Sequence, residues 1–138
     1  MTLRISDEQT ARMHAHAEEG FPHEVVGILA GSRDDWTVTE VIPLVNERAD
    51  SAHNRYKVSG LLLMRAEQEL ESRDLQVVGY YHSHPDHPSQ YSEFDRDHAL
   101  PNMSYVIVSV MAGEVANTQS WRLTDDRSRM DEEEVASL

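Results

Sequence analysis

The sequence predicts an α/β (α+β) domain, a mixed β-sheet covered by helices. Three observations carry that expectation. Short apolar runs closed by glycine or polar turns, Val25–Ala30 and Ser104–Met111, read as buried strands. Stretches of helix formers open on serine caps at Ser6 and Ser59. The segments follow one another as α-β-β-β-α-β-α-β-β, an order that suits a mixed sheet with helices packed on it.

Each element has a local reason. Ser6-Asp7-Glu8-Gln9 is an S-x-x-Q capping box, and the helix it starts runs to about Glu19, where Gly20 is a natural stop. Val25-Val26-Gly27-Ile28-Leu29-Ala30, closed by Gly31, is the first strand. Asp34-Asp35 turns the chain into a second strand, Trp36–Val45, which carries Val38 and Val41; Pro43 puts its end at an edge or bulge. Asn46–Asn54 is a polar loop and Arg55–Val58 a short strand. Ser59 caps a second helix with Leu63, Ala66 and Leu70 on one face, ended by Arg73-Asp74. Gln76–His84 is a strand that Pro85–Gln90 cannot continue. Ser92 opens a short third helix to about Leu100. Ser104–Met111 is the clearest buried strand, Gly113 sits in a turn, and Asn117–Leu123 pairs back as a hairpin. After Thr124 the chain reads DDRSRMDEEEVASL. The domain is therefore expected over 1–124, with 125–138 an acidic, mobile tail.

Composition narrows the function. A chain of 138 residues fits one domain, and folding it buries roughly two thirds of its unfolded surface. Cysteine is absent, which excludes disulfides, a thiol nucleophile and Cys-ligated zinc. Any metal must be held by His, Asp or Glu. The net charge of −13, from 25 acids against 12 bases, argues against nucleic acid and anionic membranes as partners. The acid excess reads first as a solubility device and second as a way to steer a basic partner. The N-terminal MTLRISDEQT lacks a basic and then apolar leader, and no run is long enough to span a membrane, so a soluble cytoplasmic protein is expected.

Gly79–Asp97, GYYHSHPDHPSQYSEFDRD, concentrates the chemistry. His82 and His84 stand two apart on a predicted strand and so share a face, a ready pair of nitrogen donors. A polar strand end rich in histidine is the competing explanation. Seven residues separate His84 from Ser92, and two more separate Ser92 from Asp95. Asp95 falls in the first turn of the third helix, from which a carboxylate can reach a metal held by the strand. Two histidines, one carboxylate and a place for water make a typical catalytic zinc site. Ser92-Glu93-Phe94-Asp95 also matches a capping pattern, and the two readings are compatible. Asp86 and His87 are rival ligands from a loop of unspecified geometry. They, and His98, are left out of the metal's ligands.

This H-x-H-x7-S-x2-D pattern resembles the JAMM metallopeptidases, also called the MPN-plus or JAB family, and most of all their stand-alone prokaryotic branch. The segment Glu24-Val25-Val26-Gly27-Ile28-Leu29-Ala30-Gly31 is similar to the stretch in which that family carries a glutamate before its first core strand. Val26 stands where the family often has a smaller residue. The resemblance spans the chain from the first helix to Leu123. It implies a curved sheet of the JAB/MPN kind, with a cytidine-deaminase-like architecture. It implies one Zn²⁺ per chain on His82, His84 and Asp95, with water in the fourth place. It implies Glu24 as the general base that hands a proton to the leaving amine, and Ser92 as the donor to the oxyanion. It implies hydrolysis after the C-terminal Gly-Gly of a small ubiquitin-like or sulfur-carrier protein of the ThiS or MoaD type. The loops Asn46–Tyr56 and Pro85–Tyr91 would flank the groove for that tail. The alternative is a non-catalytic MPN-type module that only binds ubiquitin-like partners. A DNA-repair-associated relative would need a basic patch, and a zinc deaminase would need cysteines.

Overall fold

The computed structural model describes residues 1–46 and 58–138. Most of the loop Asn46–Asn54 and of the strand Arg55–Val58 therefore lie outside the described residues, as does most of the groove loop Asn46–Tyr56. The elements are β1 (Thr2–Ile5), α1 (Asp7–Gly20), β2 (Val26–Ser32), β3 (Thr37–Leu44), α2 (Gly60–Ser72), β4 (Gln76–Pro85), α3 (Glu93–His98), β5 (Ser104–Met111), β6 (Glu114–Leu123) and β7 (Met130–Ser137).

All three helices begin on the serines that the sequence nominates. The side chains of Ser6, Ser59 and Ser92 accept from the backbone N–H of Gln9, Leu61 and Asp95, which satisfies donors that a first helical turn leaves unpaired. α3 stops at His98 because Ala99 turns extended, with φ −74 and ψ 147, and Leu100 precedes Pro101, a position that disfavours helix.

The sheet is mixed, as expected, and it curves until its edges meet. The strands form a closed barrel in the order β1-β3-β2-β4-β5-β6-β7. β1 runs parallel to both β3 and β7, and β4 parallel to β5; the remaining neighbours are antiparallel. Closure removes the exposed strand edges that an open sheet would present.

The closing strands are where the structure corrects the sequence reading. The segment expected to be a mobile tail contains β7. Its acids hid it, because a run of charges masks the two positions that turn inward. Met130 and Glu133 are buried while Asp131, Glu132 and Glu134 are not. Met130 joins a cluster with Tyr105, Ile107, Trp121 and Leu123. The Glu133 carboxylate accepts from the Ser104 hydroxyl and, at 2.7 Å, from the Ser120 hydroxyl. β1 was also missed, being four residues long, yet its Leu3 and Ile5 are core.

α1 buries Met13 and Ala17 against Leu29, Val41, Val106 and Val108. α2 lies elsewhere on the barrel, with Leu70 against Ile28 and Ala30. Gly27 is required by close packing. A Cβ there would sit 2.2 Å from the ring of Tyr81, its register partner on β4. Among the described residues no helix is long and apolar enough to cross a membrane.

Candidate metal centre

β4 delivers the two histidines. Tyr81 and Ser83 turn to one face of the strand, where Tyr81 enters the α1 core. His82 and His84 turn to the other, their Nε2 atoms 3.2 Å apart. His82 is buried between register partners Val26 on β2 and Ile107 on β5.

α3 delivers the carboxylate. Its capping box is complete: the Ser92 hydroxyl accepts from Asp95 N–H at 3.1 Å, and the Asp95 Oδ2 accepts from Ser92 N–H at 2.9 Å. That reciprocal pair fixes the buried Asp95 side chain so that Oδ1 lies 3.0 Å from His82 Nε2 and Oδ2 lies 3.2 Å from His84 Nε2. The capping and ligand readings of Ser92-x-x-Asp95 are thus one arrangement. Ser92 is itself exposed.

β2 delivers Glu24. The β2–β4 register pairs Val26 with His82, and continuing it by two residues sets Glu24 opposite His84. Ser83 locks this extension: its N–H donates to Val25 O at 3.1 Å and its hydroxyl accepts from Val25 N–H at 2.9 Å. The Asn46 amide donates to Glu24 O at 2.7 Å. Glu24 is buried, and donor atoms of Glu24, His82 and His84 all lie within 4.8 Å of one another. The four groups named from the sequence as ligands or base, three buried and His84 partly so, therefore gather at one place.

The electrostatics favour a cation there. His84 Nδ1 is 2.9 Å from the Pro88 carbonyl. A carbonyl only accepts, so Nδ1 carries the proton and neutral His84 aims its Nε2 lone pair at the shared point. Burial pulls the His84 pKa down, but the hydrogen bond and charge of Asp95, with help from Pro88 and Glu24, outweigh it and raise it above 6.5. Burial pushes Asp95 up, but the charge and hydrogen bonds of His82, with those of His84 and Ser92 N–H, hold it well below the usual carboxylate range. Donor spacings of 3.0 to 3.2 Å also approach the roughly 3.3 Å edge of a tetrahedron with bonds near 2.0 Å. The residues fit zinc, and N/O donors of this type also suit iron, manganese or cobalt.

Among the described residues the other histidines take no part. His87 is exposed, and its carbonyl accepts from Ser109 Oγ at 2.6 Å. Asp86 accepts from Ala112 N–H at 2.8 Å. His98 stacks on Phe94, and His14 and His16 pair with Thr118 and the Tyr81 hydroxyl. His23 is exposed, and His53 lies outside the described residues. Sequence reasoning missed Ser83, Pro88 and Asn46, whose partners lie across strand pairings that no local spacing reveals.

Known proteins place the chain. A probable TtuB-protein conjugate cleaving protease of Thermus thermophilus is 38% identical over 93 residues, which span 67% of this chain and 60% of that one. The desampylase of Haloferax volcanii is 36% identical over 112 residues, or 78% of this chain and 80% of the relative. The solution structure of a Desulfitobacterium hafniense protein superposes with a TM-score of 0.85 at 27% identity, covering 100% of this chain and 93% of that one. The family model for prokaryotic homologues of the JAB domain matches residues 6–124. With the match spanning most of the chain and the histidines, aspartate and glutamate meeting as described, the protein belongs to the prokaryotic JAB-domain family.

Proposed function

We propose that the protein is a zinc-dependent peptidase or isopeptidase that hydrolyses the bond after the C-terminal Gly-Gly of a small ubiquitin-like or sulfur-carrier protein in the cytoplasm. The observation that carries this reading is the convergence of His82, His84 and Asp95 with Glu24 beside them. The two relatives named for removing ubiquitin-like modifiers support the substrate class.

His82, His84 and Asp95 would hold the ion. Zinc in such a site supplies a Lewis acid and brings the pKa of water to about 7. Both Asp95 oxygens are already committed to the histidines, which suits a ligand. Glu24 remains for the proton. It accepts one from the attacking water as the oxygen bonds to the Gly carbonyl carbon. It returns that proton to the amine nitrogen as the C–N bond breaks, leaving a free carboxylate and a free amine. Ser92 accepts from Asp95 N–H, so its own hydroxyl proton is available to the oxyanion that forms meanwhile. Losing one such donor typically costs about 10²–10³ in rate.

The test is cleavage of a Gly-Gly-X extension from a ubiquitin-like carrier, with and without chelator. A chelator-sensitive cut at that bond is the expected result. A folded, metal-loaded sample that binds the carrier but leaves every extension and conjugate intact would instead favour the non-catalytic binding module.

A further inference from the structure

The neutral form of His84 depends on one carbonyl, that of Pro88, and Pro88 lies in an exposed turn. What keeps that carbonyl in place is the next residue. Ser89 is 1% exposed. Its carbonyl accepts from Trp121 Nε1 at 3.0 Å, and its hydroxyl donates to Gln119 Oε1 at 2.6 Å and accepts from Asn117 Nδ2 at 3.0 Å. Asn117, Gln119 and Trp121 alternate along β6 and therefore share one face. The direction of every bond is set from the far end. On β7 the Glu132 carboxylate can only accept, so it takes the Gln119 Nε2 amide at 3.1 Å. That turns Gln119 Oε1 toward Ser89 and makes the Ser89 hydroxyl a donor.

We propose that Ser89, held by Gln119 and Trp121 on β6, is a positioning residue that fixes the Pro88 carbonyl on His84 Nδ1 and thereby sets the affinity of the metal centre. The inference rests on the metal reading of the site. Groups that orient a metal-binding imidazole typically contribute about 10- to 100-fold in affinity. The C-terminal strand enters the same chain of contacts through Glu132, some distance from any ligand.

The experiment compares wild type with Ser89→Ala and Trp121→Phe. The second variant removes the N–H donor, at the cost of some ring volume in the Tyr105–Ile107–Leu123–Met130 cluster, and keeps an aromatic ring against Tyr91. Two quantities are read: the zinc dissociation constant by chelator competition, and the His84 Nδ1–H resonance of the metal-free protein by nitrogen-15 NMR. Both variants are expected to bind zinc about 10- to 100-fold more weakly and to lose or exchange-broaden the His84 proton signal, while the metal-free proteins remain folded by circular dichroism. If either variant folds with a sharp His84 signal and an affinity within twofold of wild type, the proposal is overturned. Should Ser89→Ala fail to fold, Trp121→Phe alone decides it. If wild type itself binds no zinc, the metal reading fails separately, and the His84 signal still judges the positioning role.

Discussion

His84 and Asp95 show how the proposed metal site behaves toward protons alone. His84 has its pKa raised above 6.5, so it contributes stability that is complete below 6.5 and is lost as pH rises through the raised value. Asp95 has its pKa lowered from 3.8, so its contribution is present above that pH and is lost on acidification below it. The metal-free protein should therefore be most stable between these limits and should lose melting temperature as pH rises above 6.5. Zinc requires His84 deprotonated, so the loaded protein should gain over the metal-free one across the same range. Thermal unfolding of both forms checks the crossing trends. The two acids beside the histidines should also separate by role. Asp95→Ala should lose zinc, whereas Glu24→Gln should keep it and lose about 10²–10⁴ in rate. Metal analysis on each purified variant decides between them. At this scale the sequence was most informative, because His82, His84, Ser92 and Asp95 are linked by short spacings. Glu24 was reachable only through family resemblance, because its neighbours lie across a strand pairing.

Among the elements, the helices and the β5–β6 hairpin were legible, and the pairings between strands distant in sequence were not. The serine caps are local signals, and α1, α2 and α3 start where Ser6, Ser59 and Ser92 place them. β5 matches its apolar run from Ser104 to Met111. The β2–β4 register, which sets Glu24 opposite His84, comes instead from nonlocal fit. Gly27 is part of that fit because the Tyr81 ring fills the space a side chain would need. Gly27→Ala should cost about 1–3 kcal/mol through overpacking. It should also slow cleavage, as β2 and the Glu24 that precedes it are pushed away from the strand that carries His82 and His84. Denaturant unfolding and carrier cleavage by the same variant measure the two effects. A Gly27→Ala protein with unchanged stability would mean that Tyr81 moves aside freely.

For the whole molecule, the sequence indicates a mixed sheet with helices but not its closure. β1 is too short to stand out, and β7 reads as an acidic tail because Asp131, Glu132 and Glu134 are exposed. The barrel closes where Glu134–Ser137 pairs with Thr2–Ile5, and the buried Met130 and Glu133 anchor β7 against β5 and β6. Truncation after Thr124 should therefore unfold the protein or lower its melting temperature sharply, since it opens the Trp121–Leu123 cluster and strands the Ser104 and Ser120 hydroxyls. A mobile tail would leave the melting temperature unchanged, and circular dichroism of the truncated chain distinguishes the two.

The central claim is that His82, His84 and Asp95 hold a metal which Glu24 puts to hydrolytic use. Zinc content and cleavage of a Gly-Gly-X carrier should be measured on the same preparations of wild type, His82→Ala and Glu24→Gln. The account predicts about one zinc per chain with cleavage in wild type, zinc without cleavage in Glu24→Gln, and neither in His82→Ala. Cleavage that persists at wild-type rate in folded His82→Ala, or in Glu24→Gln, would contradict it.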